Sequence, residues 1–248
     1  MIKFFRRIRQ QLLSENKFSK YLVYAIGEIV LVVIGILIAL SINNWNQSTN
    51  DRVYELKMLT EIKSALENDI DYFQWMAERV NQIDSTINVM SEKIIRKSVF
   101  VDSLYLDKQS NWHNLSNTTF FRYNLGPYQA IKSSGIEKIS NDSLRNDLIY
   151  LYDFAYPFTN ELTTLFKRDY LNNMETLKSF SIHIEVLKNN SHYDYIKKYP
   201  EELFQNQDFI TLLSEIQRRT EKIGDVYNDL IPQIEDFVNQ IKREIKNK

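Results

Sequence analysis

The chain carries three imidazoles, His113, His183 and His192, and no thiol. Metal chemistry on a helix needs ligands that share a face, as in HExxH or ExxH spacing, and none of these histidines has such a partner. Zincin and di-iron carboxylate sites therefore lack a ligand set, and His183 and His192 read as ordinary surface residues. The absence of cysteine excludes disulfides, thiol catalysis and Cys-ligated zinc or iron–sulfur centres. No GxGxxG, GxxxxGK[ST] or GxSxG occurs, so nucleotide loops and the hydrolase elbow are missing too. Carboxylates are plentiful, but along helices they mainly keep a face solvated, and no pair points to a glycosidase. The sequence predicts no catalytic residue, no cofactor and no metal, hence a protein that is not an enzyme.

Two constellations could still do binding chemistry. Tyr128, Lys132, Ser133, Ser134, Gly135, Asn141 and Arg145 form a polar cluster around a glycine-ended turn that leads into a capped helix. One reading is a partner surface at a bundle end, where backbone donors and Arg145 could hold a carboxylate. The other, which is favoured, is capping and turn geometry alone. Glu28, Gly35 and Ala39 are separated by steps of seven and four, so they fall on one helical stripe, with Tyr21 and Tyr24 extending it. Small residues let helices approach in lipid, and a carboxyl there needs a proton or a partner, which suggests transmembrane packing. Equally, Glu28 could reach back to the headgroups and tolerate its place.

The element that positions this stripe is the apolar run at 21–42, YLVYAIGEIVLVVIGILIALSI, with the single charge Glu28. At ~1.5 Å per residue it reaches the ~30 Å hydrocarbon thickness, so it is expected to span a bilayer. Ala39 and Ser41 form a small-x-small pair of the kind that precedes a signal cleavage site, but the run is longer than a signal core and reads as an uncleaved signal anchor. Lys3, Arg6, Arg7, Arg9, Lys17 and Lys20 lie before it, and only Arg52 and Lys57 lie close behind. That asymmetry predicts a basic cytoplasmic leash at 1–20 and a far-side domain at 43–248. Tyr21, Tyr24 and Trp45 suit the two water interfaces. Met1, Phe4, Phe5, Ile8 and Leu12 recur at helical spacing, so the leash either lies in the inner interface or serves as a topology signal only.

In the far-side part, 5 Gly and 4 Pro are too few for the frequent turns of a sandwich or barrel, and favour long helices. A first helix is predicted over 53–97, with Leu59, Leu66, Phe73, Val80, Ile87 and Ile94 at seven-residue intervals and Ile62, Met76, Ile83 and Met90 as a second seam. A second starts at a cap among 140–142 and repeats Leu144, Leu148, Leu151, Ala155, Phe158, Leu162 and Leu165, kinking after Tyr156 at Pro157. A third starts near Gln207 behind Asn206 and repeats Phe209, Leu213, Ile216, Thr220, Ile223, Tyr227, Leu230, Ile234, Phe237 and Ile241, with Pro232 inside. Between the first two lies an irregular insert at 98–141, β-like in composition over 118–123, with a short helix that Pro127 opens and Gly135 ends. Complementary seams in one chain predict an all-α fold: a transmembrane helix and an elongated antiparallel helical bundle with coiled-coil-like packing.

The opening FFRRIRQQLLSENKFSKYLVYAIGEIVLVVIGILIALSINNWN and the later YQAIKSSGIEKISNDSLRNDLIYLY resemble an uncharacterised bacterial family of single-pass membrane proteins, known only as a domain of unknown function. The resemblance covers the first fifty residues and 128–152. It implies the topology above and a Gram-negative inner membrane with a periplasmic domain, and brings no activity, cofactor or catalytic residue. The mildly acidic body argues against nucleic acid as a partner. The bilayer and a protein partner or a second copy are expected. The function expected is a non-enzymatic scaffold or subunit of a membrane complex. Its alternatives are an extracytoplasmic ligand sensor signalling through a membrane partner and an enzyme without a recognisable motif.

Overall fold

The computed structural model of the chain describes residues 18–100, 112–189 and 191–246. Residues 1–17 of the leash at 1–20 and the side chains of 18–20, Tyr21, Tyr24, His113 and His192 lie outside what is described, with the expectations placed on them. The elements are α1 (Phe18–Ile95), α2 (Gly126–Gly135), α3 (Asp142–Tyr150), α4 (Tyr156–Ser179), β1 (His183–Asn189), β2 (His192–Lys198) and α5 (Gln207–Lys246). The described residues are 83% helical, which makes the fold all-α.

Two compact units, Met1–Glu55 and Leu56–Lys248, divide within α1. In the first, α1 is long and apolar enough to cross a membrane. Its Ile29, Leu31, Ile36 and Leu40 are all exposed, a surface that water does not favour. Glu28, Gly35 and Ala39 are all helical, as the stripe requires. A Cβ built on Gly35 would meet nothing within 4 Å, so that side of the helix is open.

The second unit buries the predicted seams of α1: Leu59, Leu66, Phe73, Val80 and Ile87, with Ile62, Met76, Ile83 and Met90. Its helix α5 runs antiparallel to α1, since Lys242 pairs with Glu67, Tyr227 lies against Phe73, and Gly224 against Val80. Asn206 starts α5 by accepting from Asp208 N (2.9 Å) and Phe209 N (3.1 Å), satisfying donors the first turn leaves free. Along α5 the predicted positions are buried except Phe237, half-buried where Val238 takes the core place. One end of the core closes over Phe100, Leu115, Leu177, Tyr199, Phe204 and Phe209.

The second predicted seam is overturned beyond Leu151. Leu144, Leu148 and Leu151 are buried, but Phe158 and Leu165 are exposed, and Ala155 and Leu162 only half-buried. Residues Leu151–Ala155 form a π-turn in which Tyr156 N donates to Leu151 O, five residues back. The added residue rotates the helix by about 100°. Tyr152, Tyr156, Thr159 and Thr163 then face the core in place of the forecast positions. Pro157 sits in the first turn of α4, where its missing N–H is harmless, and the irregularity next to it is the π-turn that ends at Ala155.

Within the insert, 118–123 forms no strand among the described residues. Two of its carbonyls are taken by helix side chains: Tyr72 Oη (2.9 Å) and Tyr227 Oη (3.1 Å) both donate to Phe120 O, and Arg79 Nη2 to Thr118 O (3.3 Å). The strands occur instead at His183–Asn189 and His192–Lys198, an antiparallel hairpin with Val186 opposite Tyr195. His183 and His192 belong to opposite ends of it, paired with Lys198 and Asn189.

Candidate functional site

The skipped position in the second seam of α1 is Asp69, seven residues after Ile62 and seven before Met76. It is 5% exposed. Core positions rarely hold a carboxylate unless its oxygens are satisfied. Here Asn124 N donates to Oδ1 (3.1 Å) and Tyr156 Oη to Oδ2 (3.1 Å). Burial pushes the Asp69 carboxyl up to about 6, outweighing the two bonds that favour its charged form.

Around Asp69 and Phe73 stands a nest of rings. Phe73 stacks on Phe121 (4.9 Å, 7°) and Tyr128 on Tyr152 (4.5 Å, 9°). Tyr152 meets Tyr156 edge-on at 5.3 Å, and Tyr123 lies 4.5 Å from Tyr156. These geometries suit ring quadrupoles and add about 0.5–1.5 kcal/mol per pair beyond burial. Burial holds the Tyr128, Tyr152 and Tyr156 hydroxyls well above their usual range, so all three stay protonated donors. Tyr156 uses its proton on Asp69, and Tyr128 donates to Asp153 Oδ2 (2.9 Å). Tyr152 Oη is buried and has no partner among the described residues.

Over this nest opens a pocket of about 530 Å³, lined by Tyr123, Leu125, Tyr128, Gln129, Lys132, Ser133, Tyr152, Asp153 and Pro157. At its rim Lys132 Nζ is 2.6 Å from Asp153 Oδ2 and 5.5 Å from the Tyr128 ring centre. The volume falls within the range of ligand pockets, and the lining mixes the rings, Leu125 and Pro157 with the polar Gln129, Lys132, Ser133 and Asp153. The π-turn is what turns Tyr152 and Asp153 to this side, a frequent use of such turns.

Three residues of the sequence-predicted cluster, Tyr128, Lys132 and Ser133, therefore line the pocket. The other four hold its frame. Ser134 Oγ donates to Ile131 O (3.0 Å), and Gly135 takes φ 111°, where a Cβ would collide with the Glu137 carboxylate. Asn141 Oδ1 caps α3 by accepting from Leu144 N (3.1 Å), and its Nδ2 reaches Glu244 (3.1 Å). Arg145, read as a possible carboxylate holder, spends its guanidinium on Ile139 O (2.9 Å) and Asp142 (2.7 Å). Sequence reasoning missed Asp69, Tyr152, Asp153 and Tyr156. Only the gap in the heptad seam at Asp69 could have signalled the first.

A model of a family of unknown function (DUF6090) matches residues 28–216. The chain belongs to this family. The matched span takes in residues 28–42 of the apolar segment, Asp69 and every residue that lines the tyrosine pocket. No curated protein and no solved structure matches the chain.

Proposed function

We propose that the chain is a single-pass bacterial membrane protein, non-enzymatic, that works by holding a protein partner as a scaffold or subunit of a membrane complex. The apolar stretch of α1 is its uncleaved anchor, with the N-terminus in the cytoplasm and the second unit in the periplasm. What carries the binding reading is the pocket of tyrosines around the unpartnered Tyr152 hydroxyl. Tyrosine gives large contact area at small entropic cost, and an inserted partner group that accepts from Tyr152 would remove the penalty of a buried unpaired donor. The orientation rests on the basic residues before the apolar run.

Orientation is tested by fusing, after Lys248, a reporter active only outside the cytoplasm. It should be active, and a signal from a cytoplasmic reporter alone would reverse the topology. The binding reading is tested by purifying the intact chain in mild detergent and identifying co-purifying proteins by mass spectrometry, beside the variants Ser133→Trp and Gln129→Trp. Both positions are exposed at the pocket mouth, so folding should be unaffected while the partner is lost at least tenfold. An identical protein profile from wild type and both variants would remove the pocket from the binding role.

A further inference from the structure

Away from the tyrosine pocket, Arg219 on α5 stands between the seam residues Ile216 and Ile223 and is 7% exposed. Its guanidinium lies over the Tyr170 ring, 5.4 Å from the centre, and Tyr170 is itself fixed by a 2.6 Å bond from Oη to Ser116 O. Arg219 Nη1 is buried and has no hydrogen-bond partner among the described residues. A desolvated cation with an unmet donor is costly, and such groups normally find an anion. The side chain lines a cleft of about 410 Å³ between α4 and α5, where Arg218, Lys222 and Glu215 join it from α5, and Asp169 and Asn172 from α4. Among the described residues no ion pair within 4.0 Å links these five charged groups, although the Asp169 carboxylate is close enough to favour the charged form of Arg219.

We infer that this cleft binds a small zwitterion of the amino-acid class. Its carboxylate lies against Arg219, with Arg218 and Lys222 adding positive charge, and its ammonium group lies toward Asp169 and Glu215. The planar guanidinium matches a carboxylate fork. Phosphate would match it as well, but two carboxylates in the same cleft repel a doubly charged ion and attract an ammonium group, which selects the zwitterion. The volume is within the range of small-molecule sites. Occupancy would give the second unit a ligand-responsive role that partner binding at the tyrosine pocket does not require.

The test is thermal melting of the intact chain in detergent with pools of the L-amino acids, with inorganic phosphate, and with sodium chloride at matched ionic strength. One or more amino-acid pools should raise the melting temperature to saturation at low millimolar concentration, as mass action requires for a ligand of the folded state. Lys222→Ala should raise the half-saturating concentration on the order of tenfold, the loss of one charge-assisted contact. Arg219→Gln should abolish the shift. If Arg219→Gln does not fold, Lys222→Ala decides the matter alone. No amino-acid response, a response to phosphate alone, or an unchanged response in Lys222→Ala overturns the proposal.

Discussion

Replacing Phe73 with Asp is expected to unfold the second unit. The ring is fully buried, stacked on Phe121 at 4.9 Å and in contact with Tyr156 at 6.1 Å and Tyr227 at 5.9 Å, so the insert, α4 and α5 lose their common neighbour on α1 at once. Removing a buried phenyl ring alone costs about 3–5 kcal/mol. The new carboxylate would be desolvated without a donor, and would lie one helical turn from Asp69, adding several kcal/mol more. Set against a total stability of about 5–15 kcal/mol, that sum exceeds what the fold can lose. Circular dichroism melts of the intact chain in detergent should show no cooperative transition for the second unit. Glu67→Lys is the control: it breaks the 3.0 Å pair with Lys242, but at a half-exposed site, where such pairs contribute about 0–1 kcal/mol. A normal melt for Phe73→Asp would mean that the aromatic nest does not form.

Stability should rise as pH falls from 6 to 4, through Asp69. Its folded value, about 6, lies above the 3.8 of a freely solvated aspartate. A raised folded value means that the fold prefers the protonated carboxyl. The contribution is therefore fully present below the unfolded value and is lost as pH climbs through the folded one. The difference corresponds to about 2–3 kcal/mol between the two ends of that window. Glu67 works oppositely: the bond from Lys242 holds its carboxyl below the usual range, so its contribution is present above the unfolded value and lost in acid. Comparing wild type with Asp69→Asn isolates Asp69. The amide is neutral throughout and can still accept from Asn124 N, so the variant should lack the rise and match or exceed wild type at pH 7. Asp69→Ala should instead be destabilised by about 1–3 kcal/mol for each donor left unpaired, at Asn124 and Tyr156. Denaturant unfolding at pH 4, 5, 6 and 7 gives the comparison. Parallel curves for wild type and Asp69→Asn would show that the carboxyl is not desolvated.

How much was legible in the sequence differs from residue to residue. Leu59, Phe73 and Ile87 on α1 and Phe209, Ile216 and Ile234 on α5 could be placed in the core from spacing alone, because an uninterrupted helix carries its phase forward at 3.6 residues per turn. Asn141 and Asn206 could be read as caps, and Pro127 and Gly135 as the ends of a short helix, because those preferences act within one turn. The hairpin was not legible. Two strands of seven residues with only short alternations of Ile184 and Val186 against Tyr193 and Tyr195 leave a signal that the helical expectation for the whole chain covers.

By itself the sequence determined an all-α chain with one apolar segment long enough for a bilayer, two helices of known inward face, and a glycine turn beside a capped helix. All of these are set by interactions among residues close in sequence. Only the tertiary structure decided the π-turn at Leu151–Ala155, because a residue inserted in a helical ladder is paid for by packing Tyr152 and Tyr156 against Tyr128 and Phe73, partners that lie elsewhere in the chain. It also decided that Asp69 and Arg219, two charges among many on their helices, lose their water. Desolvation depends on which segments cover a side chain, and the covering residues, Asn124 and Tyr156 for one and Tyr170 for the other, are set by the fold and not by neighbours in sequence.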